Sequence, residues 1–141
     1  MHTTIRTITA AAACALLLAA GAAAGQGGTA QSTVLDVMLG TTGPASDVIF
    51  EAQSEVPTTD EGWRAVQAAA ERLAESGRLL QRAPLARPEA EWNEMAEALV
   101  REAARAGTLA GKHDGDALVD AGDAVYFTCE TCHKRFVGGA R

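Results

Sequence analysis

Apolar positions along this chain recur at spacings of three and four, and no stretch alternates in twos between hairpin turns. The pattern predicts helices and no strands. The first helical segment runs from about Ser32 to Ser54, with Val34, Val37, Met38, Thr41, Ala45, Val48 and Ala52 near one stripe. Gly40, Gly43 and Pro44 interrupt it. A proline inside a helix removes a backbone donor and crowds the preceding turn, so a kink or short break is expected there. The second segment begins at Thr58, which has capping-box spacing to Glu61 and follows Pro57. Its stripe is Trp63, Val66, Ala70, Leu73, Gly77 and Leu80, and it ends around Arg82, before Pro84. The third opens with Pro88 in its first turn and with Glu89 and Glu91 at the positive end of the helix dipole. Trp92, Met95 or Ala96, Leu99, Ala103 and Ala106 form its stripe, and Gly107 and Gly111 mark its fraying end. The fourth starts near Asp114 or Asp116, either of which suits a cap. Leu118, Gly122, Val125, Cys129, Cys132 and Phe136 then step 4-3-4-3-4, which is an a/d seam, and Gly138 and Gly139 close the segment.

Four helices of similar length on short linkers predict an all-α domain, an antiparallel four-helix bundle. Composition adds one point. Hydrophobic residues make up 48% but aromatics only 4%, and much of the apolar fraction is alanine. Such a core is thin, and a large buried cofactor would help to fill it. The N-terminal stretch stands apart. A short start with Arg6, an apolar run from Ile8 to Ala20 and the small residues Ala22, Ala23 and Ala24 predict a secretory signal peptide over 1–25. Residues 26–141 would then form the exported domain, with Gln26 to Gln31 as a lead-in. The apolar run is too short for a membrane span, and no second run suggests one in the mature chain. The formal net charge is −6, with 12 basic and 18 acidic residues, and loss of Arg6 would leave 11 bases. That balance excludes nucleic acid as a partner class and permits docking to a basic patch on another protein. A homodimer stays open, because alanine on an outer face suits surface and interface equally.

Cysteine usage narrows the chemistry. Of three cysteines, Cys14 falls in the expected leader, which leaves Cys129 and Cys132 in the run Cys-Glu-Thr-Cys-His. On a helix, residues i, i+3 and i+4 share a face, so Cys129, Cys132 and His133 would stand together. Two thiols at that spacing can add across the two vinyl groups of a haem, and the imidazole then lies under the iron. One covalently attached haem c per chain is expected, with His133 as an axial ligand. Three other readings of the motif are weaker. A thioredoxin-like pair wants a strand-to-helix junction. A zinc site wants a fourth ligand, and His113 is the other histidine of the mature chain. A disulfide leaves His133 unexplained. His113 suits a surface or capping position, and Trp63 and Trp92 suit core anchors. Lys134 and Arg135 could face haem propionates, or simply be exposed charge at a helix C-terminus. The acidic residues follow helix faces instead of gathering round a histidine, so no enzyme activity is expected.

The run Val125 to Phe136 resembles the class II cytochromes c, the cytochrome c prime and cytochrome c-556 group. The segment Val37 to Phe50 is similar to family members with a proline in the first helix. The resemblance implies a four-helix bundle carrying the haem motif on its last helix, followed by a lysine and an aromatic. Lys134 and Phe136 match those two positions and would belong to the haem environment. Within the family, cytochromes c-556 take a sixth iron ligand from a methionine of the first helix, and Met38 falls there. Met95 is the lesser candidate. Cytochromes c prime leave that face open and bind NO or CO. The expectation is therefore a periplasmic carrier of single electrons between transient redox partners, with iron held by His133 and Met38. The alternative is a five-coordinate haem protein that binds NO or CO.

Overall fold

The structure, a computed structural model, describes residues 33–138. The expected leader over 1–25, the lead-in that follows it, Ser32 and Gly139 lie outside the described residues. Every regular element among the described residues is helical. Helix α1 covers 34–54 and is assembled from Val34–Val37, a π turn at Met38–Thr42, and Gly43–Ser54. The other helices are α2, Asp60–Leu80; α3, Ala90–Gly111; and α4, Gly115–Phe136.

The expected kink in α1 is instead a π turn, and Pro44 explains it. In an α-helix the proline ring would crowd the carbonyl four residues back. Widening the turn lets the Gly43 N–H reach the Met38 carbonyl, and Pro44 enters as an early residue of the segment Gly43–Ser54. Gly43 suits the tight spot, since a Cβ there would stand 3.1 Å from the Met38 oxygen. A π turn takes up one extra residue, and this shifts the inward stripe. The buried positions after it are Thr42, Ala45, Ser46, Ile49 and Ala52, where plain α spacing had pointed to Thr41 and Val48.

Three helix boundaries also differ from expectation. Thr59, not Thr58, caps α2 by accepting from the Gly62 N–H at 3.1 Å. Pro57 packs over that first turn, where a Cβ on Gly62 would lie 3.0 Å from the proline Cβ. Pro88 lies ahead of α3, because Glu89 is extended and serves as its N-cap. Gly107 does not end α3. It is buried inside the helix, with Ala70 of α2 3.2 Å from where its Cβ would be. Asp114 does cap α4, accepting from the Ala117 N–H at 3.1 Å.

Each helix packs on two others: α1 on α2, α2 on α3, α3 on α4, and α4 on α1. Their shared core is built from Ile49, Leu73, Leu99, Leu118 and Val125 with a set of alanines. A second, smaller cluster gathers Val37, Leu80, Leu85, Trp92 and Ala96. Small residues let the backbones approach. At Gly77, an added Cβ would meet Val100 Cγ2 at 2.8 Å and the Ala96 carbonyl oxygen at 3.0 Å. Gly77→Ala is thus expected to destabilise the fold. Overpacking costs about 1–3 kcal/mol, and the better helix propensity of alanine returns only about 1. A lower midpoint in urea with an unchanged slope would show it. No helix among the described residues is long and apolar enough to cross a membrane.

Candidate functional site

The seam on α4 changes character along its length. Leu118 and Val125 are fully buried, whereas Cys129, Cys132 and Phe136 are only partly so. Where the burial falls off, the neighbouring helices leave a cleft of about 410 Å³, part of it open to solvent. Helix α4 lines it with Thr128, Cys129, Cys132 and His133, and α1 lines it with Met38 and Thr42. Leu80 of α2 and Trp92, Met95, Ala96 and Leu99 of α3 complete the wall. Both thiols, the following imidazole and both candidate methionines therefore face one space. On the outer side of α4, a second groove runs past Tyr126, Glu130 and Val137, and Cys129 and His133 border that one too.

The cleft is nearly all apolar. Thr128 donates its hydroxyl to the Ala124 carbonyl at 2.9 Å. Thr42 is 6% exposed, and its Oγ1 has no hydrogen-bond partner. Burial pushes the Cys129 thiol above its ordinary pKa, a Cys132 thiolate would push it further, and a backbone hydrogen bond opposes both. Burial also raises the Cys132 thiol, with the Arg87 guanidinium opposing it. Both side chains stay neutral thiols at pH 7. A thioredoxin-like pair needs the opposite, an attacking thiol with a lowered pKa.

The raised thiols set a pH dependence for the chain without cofactor. Between the ordinary thiol pKa, near 8.5, and the raised folded values, the folded state holds more protons than the unfolded state. Stability then falls as pH rises through that window. Urea midpoints should drop from pH 7.5 to pH 10, and Cys129→Ser with Cys132→Ser should flatten that part of the profile. Thiols converted to thioethers would flatten it as well.

Around the cleft the aromatic residues interlock. Trp92 Nε1 donates to the Leu80 carbonyl at 2.7 Å, which ties the start of α3 to the end of α2. Phe136 meets Trp92 edge-on at 5.1 Å and so backs the cleft through Trp92, without lining it. Arg87 lies over both rings, 4.5 Å from Trp92 and 5.6 Å from Phe136. Arg135 pairs with Glu91 at 2.8 Å, and exposed Lys134 pairs with Glu130 at 2.9 Å. Lys134 borders the outer groove, not the cleft. Arg87 is the cation that spacing could not find. It sits in the linker between α2 and α3, outside any periodic segment.

His113 stands elsewhere. Its positive φ of 56° closes α3, and its ring stacks on Trp63 at 5.0 Å. The length of α4 puts it about 25 Å from His133, so it cannot complete a zinc site there. A scan against protein-family models, a search of curated proteins and a search of solved structures found no match to this chain.

Proposed function

We propose that this chain is a class II cytochrome c: an antiparallel four-helix bundle in the periplasm that holds one haem c and passes single electrons between transient redox partners. One observation carries the reading. Cys129, Cys132 and His133 on α4 share a single apolar cleft with Met38 on α1. The donor set fits the group: two neutral thiols could form the thioether bonds, and an imidazole and a thioether sulfur could hold the iron. Bound haem would supply one-electron cycling between ferric and ferrous iron.

The chain's own residues would do the rest. Cys129 and Cys132 would hold the macrocycle to α4, and His133 would bind the iron. Leu80, Trp92 and Leu99 keep water from one face. Arg87, which lies over the Trp92 ring of the cleft wall, would offer a cation to the carboxylates of the macrocycle. Export to the periplasm rests on the residue pattern over 1–25. A pyridine haemochrome assay on protein made together with haem-attachment machinery tests the proposal, and absence of covalently bound haem would overturn it. The second reading, a five-coordinate haem that binds NO or CO, is favoured by one feature, the unpartnered hydroxyl of Thr42 in the same cleft.

A further inference from the structure

Among the described residues, Thr42 Oγ1 is the one buried side-chain nitrogen or oxygen without a hydrogen-bond partner. Helical hydroxyls elsewhere in the chain avoid that state by bonding back to their own helix. Thr108 donates to Ala104, Thr128 to Ala124 and Thr131 to Phe127, each to the carbonyl four residues before it. Ser46 and Ser76 do the same at three residues. The matching acceptor for Thr42 is the Met38 carbonyl. In the π turn that oxygen accepts the Gly43 N–H, five residues on, and the Thr42 hydroxyl makes no bond to it. The same turn brings Thr42 onto the buried stripe and onto the cleft wall one turn from Met38. A buried group left unpaired in this way calls for a ligand, and π turns are frequent at functional sites.

We propose that Thr42 is the residue that selects ligands in the cleft, and that its hydroxyl donates a hydrogen bond to a small neutral acceptor such as NO held against the α1 wall. The inference rests on the second reading above, a haem with an open face, and deepens it. The polarity and hydrogen-bond donors of a distal pocket decide which small ligands haem iron takes. Every other side chain lining the cleft from α1, α2 and α3 is apolar, so one hydroxyl supplies all the donor capacity on those walls. The walls and the free donor together suit a ligand of two or three atoms with a single acceptor end.

The test uses the haem-loaded protein with Met38→Ala, so that the face is open whatever Met38 does. Carbon monoxide is the probe on the reduced protein, and the C–O stretching band in the infrared is the readout. A hydrogen-bond donor beside CO lowers that frequency. Thr42→Val, which keeps the shape and removes the donor, is expected to raise it, and Thr42→Ser is expected to restore it. NO affinity should fall about five-fold in Thr42→Val, the effect of one net hydrogen bond. If valine is not tolerated in the π turn, Thr42→Ala serves as the second variant with the same expected shift. A band that stays in place in both variants overturns the role of Thr42 while leaving haem attachment intact. A negative haemochrome assay overturns both.

Discussion

A Cys129→Ala, Cys132→Ala variant made together with haem-attachment machinery is expected to carry no covalently bound haem, against one per chain in the parent. Acid extraction followed by the pyridine haemochrome spectrum measures it directly. The expected effect is all-or-none, because covalent attachment in this reading needs these two sulfurs. Among the described residues, Cys129 and Cys132 are the free cysteines. Each single variant should keep one thioether and show a shifted band. The fold should survive the change. Cys129 packs against the main core but is only partly buried, so each substitution is expected to cost about 1 kcal/mol. Domain stabilities run to about 5–15 kcal/mol, and helical circular dichroism should persist. His133→Ala separates attachment from ligation. The side chain is exposed at the cleft edge, so both thioethers should form while the iron loses its imidazole.

Much of the fold was legible from spacing alone, and the reason is the length of the stripes. Trp63 to Leu80 and Trp92 to Ala106 each hold one face for several turns, and the structure buries Trp63, Val66, Ala70, Leu73 and Leu80 as expected. Each miss has a physical origin. A period of 3.6 carries no signal for one inserted residue, so the π turn at Met38–Thr42 was invisible and Thr42 went unnoticed. Two adjacent threonines, Thr58 and Thr59, offer equivalent capping chemistry, and spacing alone does not choose between them; the structure uses Thr59, with Pro57 packed close to Gly62. Gly107 looked like a helix end because glycine often is one. Its actual use is the close contact with Ala70, which depends on a partner helix that spacing does not name.

The candidate site was legible to a different depth. The 4-3-4-3-4 seam placed Cys129 and Cys132 on one stripe of α4, and the structure keeps them there, at the point where the core opens. Spacing within one helix did not require Met38 to face that same space. That juxtaposition comes from α1 packing beside α4. The pairing of Trp92 with Phe136 under Arg87 joins three separate segments, and no local pattern announces it.

Met38→Ala is expected to turn a protein whose reduced spectrum changes little on adding CO into one that responds at once. In the electron-carrier reading, the Met38 sulfur would hold the iron together with His133. CO would then have to compete with that sulfur. If Met38 is bound in about 99% of molecules, apparent CO affinity is lowered about 100-fold, and alanine removes that factor. Met95 lines the cleft too, from α3, and supplies the control. Met95→Ala should leave the response to CO slow, whereas a rapid response in Met95→Ala with none in Met38→Ala would exchange their roles. The electrochemistry should move with the ligand. A thioether ligand raises the potential of a haem, so the midpoint should fall in Met38→Ala and hold in Met95→Ala. A parent that takes up CO at once, with a spectrum unmoved by Met38→Ala, would show an open iron face. The cleft would then belong to a gas-binding protein, in which Thr42 is the polar group a ligand meets.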